Sequence, residues 1–393
     1  MGEKIFLGFG DNIDYEIRWN SKSIERMIKD YDLSPREIDP DIEVDSPRAL
    51  LASLLGFAQW GRGGERFVRS PALIEDFAGN FEKKITLGGT AVRAAIAMRK
   101  LGYISAVHLV TMNEHVERLL PPDCSRLCSN AEASFYPHLI VQFQAGTEIN
   151  ANGIHININR PDRVIYTNDK DNALMKLHPD LPLLFEDVKV FLISGFNTMQ
   201  DAVLLENRLN GLLRAMERLP PGTVVFYEDA GFHKKGISDI VRRYLLKHIN
   251  IYSLNEDELQ GYLGQSLALT DPAAVASALR DIAGIIPCPL LVLHTRNWAL
   301  AYGDSAPDYT RALLGGIIMA TTRFRFGDNF TAGDYAATGA LPPEEQGVTF
   351  ASEIHALLGD RVFCVPSFQV LEKNVTTIGL GDTFVGGFLP ALL

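Results

Sequence analysis

Short apolar runs alternate with stretches of helical periodicity through the middle of the chain, and this alternation limits the possible folds more than any other feature. Residues 188–193 and 223–227 are rich in β-branched and aromatic side chains, as expected for strands buried in a parallel sheet. Between them, residues 201–219 carry leucines at helical spacing. Strand, helix and strand in this order form the βαβ unit of an α/β protein. Two further apolar runs, residues 249–254 and 289–294, continue the pattern, so we expect a doubly wound sheet flanked by helices.

Two regions depart from this alternation. Over residues 141–168 polar and apolar side chains alternate, most clearly at Ile154, Ile156 and Ile158. A period of two is typical of a sheet with one exposed face, so we expect a small antiparallel lid, to which parts of the charged segment 15–85 also belong. The predicted domains are a large α/β nucleotide-binding domain of residues 1–14, 86–135 and 170–393, and a β-rich lid of residues 136–169 and part of 15–85.

Charge and hydropathy exclude several classes of partner. The formal net charge of −11 repels polyanions, so we expect no nucleic-acid partner. No stretch approaches the roughly 18 uninterrupted apolar residues of a membrane helix, and the chain enters its first strand without a signal peptide's apolar core. We therefore expect a cytoplasmic protein that does not contact a membrane.

The chain has four scattered cysteines, too few for a disulfide scaffold of this length. Cys124 and Cys128 lie near His115 and His138, which is a possible zinc pattern. A lone Cys-x-x-x-Cys is weak evidence for a metal site, so we expect reduced thiols.

Near the end of the chain, Gly379 and Gly381 flank Leu380 and directly precede Asp382. Glycines leave backbone N–H groups free to bind an anion, and a helix that begins there adds the positive end of its dipole. Asp382 could then take the proton from a hydroxyl that attacks a phosphoryl group in line. A tight turn with Asp382 as helix N-cap explains the same residues without any function.

Near the start of the chain, Asn12 and Asp14 stand two positions apart after the first strand, where they could hydrogen-bond adjacent hydroxyls of a polyol. An Asx turn that closes the strand is the structural alternative. Ile13 stands where a dinucleotide-binding motif would need glycine. Gly88 and Gly89 run into a helix of small residues, and they permit close approach of either a ligand or the sheet.

Asn255 follows a predicted strand, and Glu258 lies three positions further on. This spacing forms a capping box, which is a sufficient structural explanation. The functional alternative is that both side chains hold the water shell of a magnesium ion that bridges phosphates, since Mg²⁺ prefers oxygen ligands and usually keeps several waters.

Taken in this order, Asn-x-Asp, Gly-Gly, Asn-x-x-Glu and Gly-x-Gly-Asp resemble the motifs of the ribokinase superfamily. Within it, the chain most resembles the family of ADP-dependent glucokinases and phosphofructokinases. That likeness spans nearly the whole chain and is carried by residues 61–65, 193–197, 227–230, 292–295 and 365–383.

The resemblance implies a ribokinase-like fold and a phosphoryl transfer from ADP to a sugar or sugar phosphate, giving AMP, with Mg²⁺ or another divalent cation. It implies that Asp382 is the base and that Gly379 and Gly381 belong to the anion hole. The remaining implied roles are sugar contacts from Asn12, Asp14, Glu65, Gly88 and Gly89, nucleotide or phosphate contacts from Arg163, Asn255, Thr377 and Leu380, and acidic groups near the metal from Glu228 and Glu258.

The chain departs from the family pattern at one motif, and it is also short for the family, which suggests a trimmed lid. The family's His-x-Glu is represented by Phe226, Tyr227 and Glu228, so the histidine is absent, which leaves the details of metal binding open. The lid arginine of the family has two possible matches, Arg163 and Arg160, of which we favour the first.

Glu65 resembles the lid glutamate of the glucose-using members. A carboxylate there can accept a hydrogen bond from a free hydroxyl but repels a sugar phosphate. We therefore expect glucose or a related free sugar as acceptor. The alternatives are an ADP-dependent 6-phosphofructokinase, an ATP-dependent ribokinase-like sugar or nucleoside kinase, and a sugar-binding regulator without catalytic activity.

Overall fold

The computed structural model describes residues 4–232, 234, 236–372 and 375–393, so the first three residues of the predicted segment 1–14 lie outside the described residues. The strands are β1 (Ile5–Leu7), β2 (Asn12–Ile17), β3 (Gly64–Phe67), β4 (Lys83–Gly88), β5 (Ala106–Leu109), β6 (Ser125–Cys128), β7 (His138–Phe143), β8 (Glu148–Ala151), β9 (Ile154–Asn157), β10 (Asp162–Thr167), β11 (Val190–Ile193), β12 (Val224–Glu228), β13 (Ile251–Asn255), β14 (Leu290–His294), β15 (Trp298–Tyr302) and β16 (Val362–Pro366).

The α-helices are α1 (Ser21–Asp30), α2 (Pro47–Trp60), α3 (Pro71–Ala78), α4 (Thr90–Lys100), α5 (Glu114–Leu119), α6 (Lys170–Leu174), α7 (Ala202–Met216), α8 (Ile237–Leu245), α9 (Glu256–Leu263), α10 (Pro272–Ile285), α11 (Thr310–Phe326), α12 (Ala332–Gly339), α13 (Glu345–Leu358) and α14 (Leu380–Phe388). Within the ranges described, none of these helices has the length and apolar character needed to span a membrane.

The larger sheet has nine strands in the order β16-β15-β14-β13-β12-β11-β1-β5-β6. Every neighbouring pair from β14 to β6 is parallel, whereas β15 and β16 pair antiparallel at one edge. The four apolar runs predicted as buried strands are β11 to β14, and the leucine-rich stretch between the first two is α7. The predicted α/β sheet is therefore confirmed, and the carboxyl ends of its parallel strands meet at one edge.

Different helices cover the two faces of this sheet, because successive side chains of a strand point in opposite directions. In β1, Ile5 and Leu7 pack in one core together with residues of α4, α11 and α14. Phe6 packs in the other core, together with residues of α7, α8, α10 and α13. Helices on both faces are the doubly wound arrangement that the sequence predicts.

The smaller sheet has five strands in the order β3-β10-β7-β2-β4. The pairs β2/β4 and β7/β10 are antiparallel, but β2/β7 and β3/β10 are parallel, so the prediction of an antiparallel lid is only partly right. The strands come from separate segments of the chain, and segments that return by long crossovers can pair in either direction.

The alternating isoleucines of the lid prediction form a separate element. Ile154, Ile156 and Ile158 are buried, as the period of two predicts. The first two, however, belong to the β8/β9 hairpin, which is a two-stranded sheet of its own and packs against α1 and α2.

The chain crosses between the larger and the smaller sheet at two places that matter for function. Residues 8–11 join β1 to β2, and Gly89 joins β4 to α4. In the smaller sheet, Asn12 at the start of β2 pairs with Gly88 at the end of β4. Both crossings therefore lie side by side, next to the carboxyl edge of the parallel strands.

Candidate active site

A cleft of about 290 Å³ opens between the carboxyl edge of the larger sheet and the smaller sheet. It brings together residues that are far apart in the chain. The residues predicted from the sequence that line it are Asn12, Asp14, Glu65, Gly89, Arg163, Glu228, Asn255, Glu258, Gly379, Leu380, Gly381 and Asp382.

Two of the predicted site residues, Gly88 and Thr377, do not line the cleft. A side chain at Gly88 would collide with the side-chain amide of Asn12, which explains the glycine by close packing of β2 and β4. The backbone N–H of Thr377 donates to Oε1 of Gln142 on β7 at 2.9 Å, so this residue links the smaller sheet to the turn that follows.

That turn begins α14. Gly379 adopts the left-handed conformation, with φ of +64°, and occupies the N-cap position of the helix. The first N–H groups of an α-helix have no acceptor within the helix, so those of the turn are available to an anion in the cleft. Arg323 of α11 supports the turn, since its Nε donates to the carbonyl oxygen of Ile378 at 2.6 Å.

Asp382 is the third residue of α14 and does not cap the helix, so the structural alternative of an N-cap is wrong. The hydroxyl of Thr90, the first residue of α4, donates to its Oδ1 at 2.7 Å. The Asp382 side chain keeps 26% of its surface exposed, toward the cleft that it lines. One carboxylate oxygen is thus fixed by a neighbouring helix while the group stays accessible to a ligand.

Asn12 and Asp14 project together, as predicted. The amide of Asn12 donates to Oδ1 of Asp14 at 2.5 Å, and Nη2 of Arg93 donates to Oδ2 at 2.6 Å. Burial raises the pKa of Asp14, while the positive charge of Arg93 opposes that rise. Both residues lie in β2, so the predicted Asx turn is not what places them there. A carboxylate has further lone pairs and can still accept bonds from ligand hydroxyls.

The lid side of the cleft carries both signs of charge. Glu65 on β3 and Arg163 on β10 line it, together with His138 at the start of β7. The His138 ring lies 3.2 Å from Oδ2 of Asp169. Although burial opposes its charged form, the carboxylate of Asp169, with those of Asp14 and Glu65, raises the pKa of His138 above its ordinary value. His138 was noted in the sequence only as a possible zinc ligand.

The opposite side of the cleft is acidic. Asn255 caps α9 and Glu258 completes the capping box, with its Oε2 accepting from the backbone N–H of Asn255 at 2.7 Å. Burial, followed by the charge of Asp229, raises the pKa of Glu258 well above its ordinary value. The carboxylate of Asp229 accepts hydrogen bonds from Tyr252 at 2.8 Å and Tyr262 at 2.6 Å. The structural reading of the capping box is confirmed, and the same glutamate also lines the cleft.

Glu228 lies beside a histidine, although the histidine of the His-x-Glu motif is absent from this chain. Nε2 of His294, at the end of β14, lies 2.9 Å from Oε1 of Glu228. Phe226, which stands where the family has histidine, is buried against Phe388 of α14 at a ring-centroid distance of 5.3 Å. Oε2 of Glu228 is buried and finds no hydrogen-bond partner among the residues that the structure describes.

The sequence interpretation missed several lining residues, of which Arg93, Thr90, His294 and Asp229 make the strongest contacts. Only His294 and Asp229 lie in stretches that carried the family resemblance. Nothing in the local sequence distinguishes Arg93 from a surface arginine of an amphipathic helix. Its role becomes visible only when α4 is placed against β2 and α14.

Comparison with known proteins gives a consistent result. The family model for the conserved region of ADP-specific phosphofructokinases and glucokinases matches residues 3–285. This range contains every predicted site residue except those from Thr377 to Asp382. A comparison with curated protein sequences gives no match.

Solved structures resemble the chain over its full length at low sequence identity. A hypothetical ADP-dependent phosphofructokinase from Pyrococcus horikoshii OT3 is 18% identical, covers 100% of this chain and 99% of its own, and superposes with a TM-score of 0.76. An ADP-dependent kinase in complex with fructose 6-phosphate and ADPβS is 19% identical over 99% of this chain and 94% of its own, also with a TM-score of 0.76. An adenosine kinase from Trypanosoma brucei brucei is 12% identical over 100% of this chain and 92% of its own, with a TM-score of 0.55. These likenesses confirm the predicted ribokinase-like fold.

Proposed function

The chain belongs to the family of ADP-specific phosphofructokinases and glucokinases, which are ADP-dependent kinases, and we propose that its acceptor is glucose or a related unphosphorylated sugar. The observation that carries this proposal is the position of Glu65, which lines the same cleft as Asn12 and Asp14. Two carboxylates and an amide suit the hydroxyls of a free sugar, whereas the two carboxylates repel the phosphate of a sugar phosphate.

In this proposal Asp382 is the general base. The sugar hydroxyl gives its proton to the carboxylate while its oxygen attacks the β-phosphorus of ADP, and the bond from that phosphorus to the bridging oxygen breaks to release AMP. The N–H groups of the Gly379 to Gly381 turn, at the positive end of the α14 dipole, stabilise the charge on the phosphoryl oxygens. The hydrogen bond from Thr90 orients the carboxylate for this task.

The nucleotide would lie along the side of the cleft formed by Asn255 and Leu380, with Arg163 approaching its phosphates from the lid. Arg163 is the better of the two candidate lid arginines. It lines the cleft, whereas Arg160 donates to the carbonyl oxygen of Gly61. Thr377 does not line the cleft, so it would act indirectly, by holding the turn in place through the hydrogen bond from its backbone N–H to Oε1 of Gln142.

A divalent cation fits the acidic side of the cleft. Oε2 of Glu228, which has no hydrogen-bond partner among the described residues, could accept from a metal-bound water, and Glu258 lines the cleft near enough for the two carboxylates to interact. The described residues hold no cluster of three or more metal-binding side chains, which agrees with an ion held mainly through water and phosphate oxygens. Such an ion would supply charge neutralisation for the nucleotide phosphates.

Removal of divalent ions is therefore expected to abolish turnover. With excess chelator, the rate of AMP formation should fall to background, and excess Mg²⁺ should restore it, because Glu228 and Glu258 add negative charge beside the phosphates instead of neutralising it. An unchanged melting temperature in chelator would show that the loss is not caused by unfolding. Full activity in excess chelator would contradict the metal assignment.

A second candidate acceptor is fructose 6-phosphate. The observation in its favour is the pair of arginines, Arg93 and Arg163, that line the cleft and could contact a sugar phosphate. The deciding experiment measures AMP formation from ADP, with ATP as comparison donor, against glucose, fructose 6-phosphate, ribose 1-phosphate and nucleosides. Efficient turnover of fructose 6-phosphate without detectable use of any free sugar would rule out the first candidate.

Replacing Glu65 with glutamine tests the specificity argument directly. We expect kcat/KM for the free sugar to fall about 10-fold or more, since a hydrogen bond to a charged group contributes about 1.5–3 kcal/mol. The relative rate with fructose 6-phosphate should rise because the repelling charge is gone. The matched control is Glu148→Gln, which removes an exposed carboxylate on the β8/β9 hairpin. Equal acceptor preference in the wild type and Glu65→Gln would contradict the role of Glu65.

A further inference from the structure

Arg93 is a buried arginine on α4 that contacts carboxylates from two separate parts of the molecule. Its Nη2 lies 2.6 Å from Oδ2 of Asp14 and 3.4 Å from Oε1 of Glu16, both on β2 of the smaller sheet. Its Nε lies 3.7 Å from Oδ2 of Asp382 on α14. Only 4% of the Arg93 side chain is exposed, and that part lines the cleft.

The arginine also packs against the turn that begins α14. A Cβ added at Gly379 would lie 2.8 Å from both Cδ and Nη1 of Arg93, so the guanidinium fills the space that a side chain at that position would take. One side chain therefore touches the predicted sugar ligand Asp14, the predicted base Asp382 and the predicted anion-binding turn.

The charge of Arg93 is secured by its neighbours. Although burial disfavours the cation, the carboxylates of Asp14 and Glu16, followed by that of Asp382, raise the pKa of Arg93 above its ordinary value. Arg163, another arginine that lines the cleft, has its Nη1 3.3 Å from Asp162 on its own strand and is 40% exposed. A planar guanidinium can hold several carboxylates in fixed relative positions, which a flexible ammonium cannot do.

We propose that Arg93 is a positioning residue that joins Asp14 to Asp382, so that the acceptor hydroxyl and its base are held in register. This inference rests on the proposed role of Asp382. Because one guanidinium packs against both Asp14 and the turn at Gly379, the position of the sugar-binding carboxylate and the position of the catalytic turn depend on each other. Two other groups among the described residues lie near Asp382. They are Thr90 of α4, whose hydroxyl donates to Oδ1, and His294 of β14, whose ring lies 2.9 Å from Glu228.

The test is Arg93→Met, with Arg99→Met as the matched control. Arg99 lies on the same helix and pairs with Asp123 at 2.6 Å, but it is exposed and is not one of the residues that line the cleft. For Arg93→Met we expect kcat to fall about 100-fold, because a misplaced general base loses much of its usual effect of about 10²- to 10⁴-fold, and the sugar KM to rise about 10-fold. The affinity of Arg93→Met for ADP should stay within about twofold of wild type. All kinetic parameters of the control, Arg99→Met, should stay within the same range.

Arg93→Lys separates charge from geometry and serves if the methionine variant does not fold. The ammonium keeps a positive charge beside Asp14 and Asp382, so part of the lost kcat should return. It cannot hold Asp14 and Asp382 together, so the sugar KM should stay about 5- to 10-fold above wild type.

Two results would overturn the inference. One is an Arg93→Met enzyme with a lower melting temperature but the wild-type kcat and KM, which would make Arg93 a structural ion pair only. The other is an Arg93→Lys enzyme with wild-type kcat and KM. All variants are assayed with whichever acceptor the wild type uses, so failure of the proposed free-sugar activity shows in the wild type and failure of this inference shows only in the variants.

Discussion

Replacing Asp382 with asparagine is expected to lower kcat by about 10²- to 10⁴-fold, the usual effect of removing a general base. Asparagine has nearly the same shape and its carbonyl oxygen can still accept the bond from Thr90, so the turn should keep its conformation. ADP affinity and melting temperature should therefore stay close to wild type. The measurement is the rate of AMP formation at saturating ADP and sugar, together with thermal unfolding of the same preparation.

The chain offers a close control for this substitution. Asp239 is also the third residue of its helix, α8, and the N-cap of that helix is likewise a left-handed glycine, Gly236. Asp239→Asn removes the same favourable charge from a helix N-terminus at an exposed site outside the cleft. If Asp382→Asn and Asp239→Asn had equal rates and equal melting temperatures, Asp382 would have only a helix-stabilising role.

Replacing Gly379 with alanine is expected to lower kcat by about 10²- to 10³-fold, the effect of losing one donor of an anion hole. The added methyl group would meet Arg93 at 2.8 Å, and the left-handed φ of +64° disfavours any side chain. Either response, a shift of the turn or a shift of Arg93, moves N–H groups away from the phosphoryl oxygens. The left-handed conformation should also lower the free energy of unfolding by about 1–2 kcal/mol.

Gly222→Ala is the matched control, because it has the cost of a left-handed alanine without a clash of the added methyl group with Arg93. Gly222 has a φ of +83°, and a Cβ there would come within 4 Å of no atom in the described part of the chain. We expect a similar loss of stability but a wild-type kcat. A wild-type kcat in Gly379→Ala as well would show that the turn does not hold the transferred group.

Much of the fold could be predicted from local patterns because those patterns report burial. The runs that became β11 to β14 are apolar on both faces, as strands covered by helices on each side must be. Asn255 and Glu258 could be placed at a helix start because a capping box is complete within four residues. The parallel pairing of β2 with β7 could not be predicted, since it depends on which distant segments meet.

The site divides in the same way. Glycines and carboxylates of the cleft stand in short motifs, so their types and spacing indicate chemistry. Arg93 and Thr90 contribute through contacts with Asp382, which lies almost three hundred residues further along the chain, and no local pattern records such a contact. Asp382 itself had two possible interpretations, and only the observed N-cap at Gly379 excluded one of them.

The imidazole beside Glu228 has a consequence for how related sequences are recognised. It comes from His294 two strands away, while Phe226 at the expected position packs against α14 and the His294 ring stacks on Phe384 of the same helix at 4.7 Å. An imidazole thus lies beside Glu228 in space although no histidine stands two positions before it in the chain. A search that requires a histidine two positions before the glutamate would miss chains of this kind. A better search would accept an imidazole from the carboxyl end of another strand of the same sheet.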